Sequence, residues 1–444
     1  MSAAVHAPTP PQSAALRSFT SQWRARAADS LSPLREQALQ RFLSLGLPTL
    51  SDETWRYTNL RSLAAQSFVD APLKLSGDVE PVISLSLLGD TGGVATLTLV
   101  NGHPVLPATG VPNGIEIHSL RDIAQVDPMR LQRYLEPLPD TDQQRWALLN
   151  TALFLDGLFI KISALVTQPL YILHIASGDD ANAIAYPRVI IEAAPGSGAT
   201  LVEQHVAQGE HTPLINSSTQ ISLGRGAQVE HYRVYATGAG ATHLDSLRIR
   251  QDQDSRCKQF TVALGGGLVR TNLEAHLDAP GASLESHSLL VGHEDRHVDC
   301  VNIVTHGAPD TQSSQTARAI AGDTSRLIFN SKVIVDAGAA RSQSQQSCRG
   351  LLLSPAAEID TRPQLEIHAD EVKCAHGATT GRLDPDMLFY MLSRGLDRET
   401  AQSLLVFAFL ADVLTGMSVE SARAAIENAL ISQLPDSQTL RKFR

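Results

Sequence analysis

The sequence predicts a mainly β chain, a β-helix with an α-helical domain at each end, and three observations carry that prediction. Between residues 169 and 380, short apolar strands recur with Gly, Asp, Asn and Ala-Pro punctuation and without a helical period. Several strands follow a Gly-Ala turn, and the spacing between equivalent strands stays near 26 to 29 residues. On either side of this block the apolar spacing becomes that of helices.

The segments "RVIIEAAPGSGATLVEQHV", "QISLGRGAQVEHYRV", "SLRIRQDQDSRCKQFTV" and "LEAHLDAPGASLESHSLL" align on their turns as one unit. The unit is an apolar strand, a small-residue turn and a strand of alternating polarity. On that alignment Glu203, Glu230, Gln259, Glu285 and Ser314 are equivalent, and later units around Ile328 and Ser342 return at about half the spacing. A fixed period of this size is the signature of a solenoid, whose coils bury their faces against their neighbours. Strands without repeated helices make that solenoid a β-helix. A β-sandwich also has short, regularly spaced strands, but it does not account for the recurring Gly-Ala turn.

The flanks follow in order. Residues 1–75 read as helical from about residue 10, with one apolar face in "LREQALQRFLSLGLP" ended by Gly46 and Pro48. Ser51 or Asp52 is placed to cap a short helix carrying Trp55 and Tyr57. Residues 76–168, with the pattern clear from about 79, are a mixed continuation of that domain; "VATLTLVNG" reads as a strand and "DPMRLQRYL" as a helix. Residues 381–444 return to helix. Asp384 caps a helix opened by Pro385 and closed by Gly395, Asp397 opens the next one, Gly416 ends it and Ser418 starts the last. The middle helix is apolar nearly all round, so it is buried or covered by a partner.

Composition narrows the function. The 444 residues carry a formal charge of −10, with 43% apolar, 18% charged and 5% aromatic residues. An acidic chain with few aromatics lacks the basic face that nucleic acid or an anionic membrane needs, and the stacked rings of a carbohydrate cleft or base platform. The first residues show no secretory signal, and the most apolar segment, "SLLVFAFLADVL", is too short to span a bilayer. A cytoplasmic, reducing location is expected, with Cys257, Cys300, Cys348 and Cys374 as free thiols. No G-x-x-x-x-G-K-[ST], G-x-S-x-G or H-E-x-x-H occurs, so no P-loop of this chain binds nucleotide.

The chemistry-bearing stretch is "EVKCAHGATTG", residues 371–381. Cys374 and His376 at i, i+2 share one face of a strand. Thiolate beside imidazole suits a soft metal or an iron–sulfur species, or a Cys–His nucleophile, while a buried cysteine also serves as a small hydrophobe. The nucleophile reading lacks an oxyanion site on a flat sheet rim. "HEDRH", residues 293–297, would pair its histidines on a helix but sits in a turn, and the glycines at 265–267 read as a bend.

Here the chain resembles a known family. "PQLEIHADEVKCAHGATTGRLDPDMLFYMLSRGL" (residues 363–396) is similar to the C-terminal signature of the SufB/SufD proteins of iron–sulfur cluster assembly. "VRTNLEAHLDAPGA", "THGAPDTQSSQ" and "LLLSPAAEIDTRPQLEI" agree with it in order, and "ETWRYTNL" resembles the N-terminal helical motif of the SufD branch. "KCAHGATTG" has the SufD form, with Gly377 where the SufB branch carries a glutamate.

The resemblance implies a right-handed parallel β-helix between helical domains. It implies pairing with SufB through the β-helix cores and docking of the SufC ATPase on the C-terminal helical domain, at Leu388, Phe389, Tyr390, Arg394, Leu404 and Phe407. It implies a non-catalytic scaffold subunit, with ATP hydrolysis in SufC. Cys374 and His376 would lie at the SufB interface as ligands of a transient iron–sulfur cluster or iron, His376 being the better ligand; alone, the chain could form a homodimer. Two other classes compete: a purely structural partner with an inert Cys–His pair, and a carbohydrate-active β-helix enzyme such as a lyase.

Overall fold

The computed structural model describes residues 13–73, 96–105, 110–136, 144–178, 180–208 and 213–434. The boundaries expected at 10, 75 and 79 lie outside them. Strands β1 (Val69–Asp70), β2 (Thr96–Val100), β3 (His103–Val105), β4 (Ile115–Ser119), β5 (Leu158–Ile162), β6 (Leu170–Ser177), β7 (Ala183–Ala185) and β8 (Arg188–Ala193) lead into a longer series. That series is β9 (Gly198–Gln208), β10 (Leu214–Leu223), β11 (Gln228–Tyr235), β12 (Thr242–Gln251), β13 (Arg256–Ala263), β14 (Leu268–Leu277) and β15 (Ser283–Gly292). It continues with β16 (His297–His306), β17 (Gln312–Ala321), β18 (Arg326–Val335), β19 (Gln343–Leu352), β20 (Glu358–Ile367) and β21 (Lys373–Gly381).

Consecutive strands alternate between two sheets. One runs β20-β18-β16-β14-β12-β10-β8-β5-β4 and the other β21-β19-β17-β15-β13-β11-β9-β6-β2-β3. Pairing is parallel from β5–β8 and β2–β6 onward, and antiparallel only at the β4–β5 and β2–β3 ends. This is the parallel β-helix the sequence predicts, each coil giving one strand to each sheet. Thr242 faces Leu268, and Arg326 faces Glu358, one coil apart. The half-period seen around Ile328 and Ser342 is the step from one sheet to the other.

The register corrects the equivalences read from the turns. Glu230, Lys258, Glu285 and Ser314 form one row, with Thr200 before them. Gln259 stands beside His231, and Glu203 beside Arg233, in rows that face the interior. A one-residue slip along a strand reverses the face of every side chain. Matching residues by polarity alone missed it because polar side chains occur on both faces here.

The turns explain the punctuation. Gly196, Gly226 and Gly281 take left-handed backbone, while Ala227 and Ala282 behind them are fully buried. Asp254, Asp310 and Asp323 adopt the same conformation in other turns, so the Gly-Ala signal fades where aspartate replaces glycine. At the triple glycine, a Cβ on Gly265 or Gly267 would lie 2.3 and 2.1 Å from the carbonyl oxygens of Thr237 and Ala239, so this is the expected bend.

Helices Ala14–Arg24, Ser32–Leu45 and Arg145–Leu153 cover the outer face of the first sheet, packing Phe19, Phe42 and Trp146 toward Ile190, Leu214 and Leu244. Gly46, at φ 67°, ends the second helix as expected. Glu53–Trp55 is a single 3-10 turn that ends before Tyr57; Asp52 precedes it but spends its carboxylate on the Thr49 N–H and on Arg145. Val69–Asp70, inside the segment expected to be helical, instead pairs with β7. The two sheets also take in β2 to β5, from the 76–168 segment.

At the other end, helices Pro385–Ser393, Arg398–Leu414 and Glu420–Ser432 follow β21. Asp384 and Asp397 cap the first two with their side chains, and Gly395 closes the first at φ 90°. The last helix starts at Glu420 rather than Ser418, whose N–H donates to Glu230 and to the Tyr232 hydroxyl. The apolar middle helix is buried by its own chain: Val406, Leu410 and Leu414 pack on Tyr232, Phe260 and Leu289 of the second sheet's outer face. All four cysteines are free thiols.

Candidate functional site

The two sheets end differently. At the N-terminal end, β4 and β3 close them as antiparallel edges. At the C-terminal end, β20 and β21 each have one neighbour, β18 and β19, and among the described residues no further strand pairs with their other edge. β20 has no fully buried position and β21 is exposed almost throughout. The chain leaves this end through Asp384 and folds its helices back along the flank.

Cys374 and His376 lie on β21, paired in register with Ser344 and Gln346. Both belong to rows that face the β-helix interior. Cys374 is half-buried and packs on the core beside Leu365, Ala369 and Val372. His376 is exposed, with no further coil over it among the described residues. Burial pushes the Cys374 thiol above its ordinary pKa, against the pull of a backbone hydrogen bond from Ser344. A metal binding there must displace a proton from sulfur. Gly377 next to them has nothing within 4 Å of a Cβ position, so packing does not demand glycine.

A groove of about 1230 Å³ runs along the edge of the second sheet, passing Thr200, Glu230, Lys258 and Glu285 and reaching Cys374. The thiol is therefore reachable from the side as well as from the open end. Inside the β-helix, the row that ends in His376 is polar from β11 onward: His231, Gln259, Ser286, Gln315, Gln346 and His376. Ser331 donates to Gln315 at 3.0 Å and accepts from Gln346 at 2.8 Å, while Asn302 donates to Ser286 at 3.3 Å. This internal file was missed from the sequence; the signal lay in the "EHYR", "KQFT", "LESHS" and "SQTA" segments once correctly registered.

The six residues expected to dock an ATPase fall into two groups. Helix Pro385–Ser393 has no buried residue; Phe389 is 72% and Tyr390 57% exposed, with Leu388 half-buried. Arg394 donates to the Tyr390 hydroxyl at 3.1 Å and lies over its ring. Leu404 and Phe407 are partly buried against the chain's own core. His293 and His297 flank a turn, as expected; His297 is 3.0 Å from the Thr58 hydroxyl and so ties the N-terminal region to the β-helix.

The family profile for the SUF system FeS cluster assembly SufBD core domain matches residues 174–409, and that of the SufBD protein N-terminal region matches residues 16–170. The chain belongs to the SufBD family. The iron–sulfur cluster assembly protein SufD of Escherichia coli is 28% identical over 412 residues, 91% of this chain and 93% of that protein. SufD of Bacillus subtilis is 23% identical over 413 residues, 90% and 93% of the two chains. A SufBD family protein of Synechocystis is 29% identical over 409 residues, 89% of each. These relatives place this SufBD chain on the SufD branch, as the Cys-Ala-His-Gly form of β21 predicts, and its role is in iron–sulfur cluster assembly. None of its helices among the described residues is long and apolar enough to cross a membrane.

Proposed function

We propose that this chain is the SufD-type, non-catalytic subunit of a cytoplasmic scaffold complex, and that its open β-helix end joins a SufB-type partner. Cys374 and His376 form half of the site where a nascent iron–sulfur cluster, the complex's cargo, takes shape. The exposed face of helix Pro385–Ser393 docks a SufC-type ATPase that supplies nucleotide hydrolysis. The observation that carries this reading is a thiol and an imidazole on one face of an uncapped terminal strand. Soft, exchangeable ligands from one chain, left incomplete until a second chain arrives, suit a cluster that must be built and then released. Burial raises the Cys374 thiol, so His376 is the readier ligand.

The test is co-expression of the chain with SufB- and SufC-type partners, followed by visible spectroscopy of the complex and assay of client iron–sulfur enzymes. His376→Ala is expected to leave assembly of the complex intact and to reduce client maturation at least tenfold, with Cys374→Ala having a smaller effect. A doubly substituted complex that matures clients at the wild-type rate would sink the ligand role and leave a purely structural subunit.

A further inference from the structure

A second constellation sits about 30 Å from Cys374, six strand spacings back inside the β-helix. Glu203 and His205 stand at i, i+2 on β9, and His174 lies beside His205 on β6. All three are buried, and one ligand atom from each lies within 4.8 Å of the others. His174 donates to one Glu203 oxygen at 2.9 Å and His231 to the other at 2.8 Å, so both nitrogens that face the carboxylate are occupied. His205 has neither ring nitrogen hydrogen-bonded, although it is only 1% exposed. It stacks between His174 at 4.3 Å and Tyr235 at 5.1 Å, with His243, also unbonded at both nitrogens, edge-on at 5.1 Å.

Two buried carboxylates share one guanidinium here among the described residues. Glu203 and Asp245 are both fully buried, and Arg233 is the guanidinium between them. Arg233 pairs tightly with Asp245, which also accepts from Tyr235 and Ser217, and stands 3.6 Å from Glu203. Glu203 is then left with imidazoles and the Thr219 hydroxyl for company. A buried carboxylate ringed by imidazoles whose remaining ring nitrogens have no hydrogen-bond partner is a set of donors that a cation would satisfy.

We propose that His174, Glu203 and His205 bind a divalent first-row transition-metal ion inside the β-helix. Two imidazoles and one carboxylate suit Zn²⁺, Fe²⁺ or Co²⁺ and not the all-oxygen preferences of Ca²⁺ or Mg²⁺. Ligand atoms around such an ion sit about 3.4 Å apart, so modest side-chain rotations close the present 4.8 Å. The ion replaces the His174–Glu203 hydrogen bond, His231 orients the carboxylate from its other oxygen, and His243 is the nearest further imidazole. Because the ligands are fully buried, the ion is captured as the chain folds and exchanges slowly.

The test uses the full chain carrying Cys374→Ser and His376→Ala, which removes the exposed pair and keeps the result independent of the function proposed above. It is expressed in medium supplemented with Co²⁺, and separately with Zn²⁺ or Fe²⁺, then passed over a chelator. About one retained equivalent is expected, with the visible d–d bands of a protein-bound Co²⁺, and either His205→Asn or Glu203→Gln should lose it. Retention below about a tenth of an equivalent in the parent overturns the proposal. So does retention by His205→Asn equal to the parent. If the variants do not fold, the parent's unfolding temperature decides: no difference between chelator-grown and metal-grown protein overturns the site.

Discussion

At the scale of single residues, the most committed side chains join the flanking segments to the β-helix. Arg270 is fully buried, pairs with Asp299, donates to the Thr54 carbonyl at 2.9 Å and lies 3.7 Å above the Trp55 ring. Thr58 donates to the same aspartate at 2.5 Å. The "ETWRYTNL" segment is thus a clasp, and its tryptophan is a structural residue. Trp55→Ala should cost about 3–5 kcal/mol, read as a lowered denaturation midpoint, and Asp299→Ala a similar amount by stranding a buried guanidinium. His306 gives a pH dependence of known sign. Its two nitrogens contact the Thr311 and Ser313 hydroxyls at 2.8 Å, and burial lowers its pKa to about 4. Unfolded histidine titrates near 6.5. Between those values the unfolded chain binds the extra proton, so this stabilisation is complete above about 6.5 and disappears as pH falls through about 4. Relative to His306→Gln, wild type should lose on the order of 3 kcal/mol between pH 7 and pH 3.5, measured by urea unfolding at each pH. A constant difference across that range would contradict the assignment.

At the scale of elements, the sequence is most legible where backbone chemistry decides the outcome. Asp384, Pro385, Gly395 and Asp397 mark helix ends by capping, fixed φ and left-handed backbone, and each stands where those signals place it. The β-helix is legible from its repeat because every coil meets the same steric problem at its turns. Register is not, since the usual alternation is lost where both faces of a strand are covered: all eight residues of Leu170–Ser177 are buried. For the same reason Glu203 read only as a repeat marker and His205 two residues on drew no notice, whereas Cys374-x-His376 stood out beside a helix cap. Tertiary cover also separates two apolar helices that look alike in sequence. Arg398–Leu414 fills the second sheet's outer face, while Pro385–Ser393 has no fully buried residue and leaves Phe389 and Tyr390 exposed. Substituting Phe389 and Tyr390 by Asp should therefore change stability by less than about 0.5 kcal/mol and, if the proposed docking holds, abolish co-purification of a co-expressed SufC-type ATPase. A fall in the unfolding midpoint of the isolated chain would show instead that the helix packs on its own chain.

At the scale of the whole molecule, the proposed joint rests on the asymmetry of the two ends. Open sheet edges present unpaired N–H and C=O groups, and natural proteins cover them, shorten them or charge them. Here β20 and β21 are ten and nine residues long, and among the described residues neither has a strand paired to its outer edge. Charged side chains at Glu358, Asp360, Arg362 and Lys373, with Pro363 in β20, discourage indiscriminate pairing without removing the edge. Ile367, at 41% exposed, remains on that edge. A second β-helix continuing both sheets would satisfy the free groups and bring its own ligands over His376 at the same time. Amide hydrogen exchange tests this in one measurement. In the isolated chain, amides of β20 and β21 that point away from β18 and β19 should exchange far faster than those of β14 and β16, whose two sides are both paired. On binding a SufB-type partner, the end-strand amides should slow by at least a hundredfold, while those of β14 and β16 stay as they were. Protection confined to helix Pro385–Ser393 would put the joint on the flank and leave Cys374 and His376 outside it.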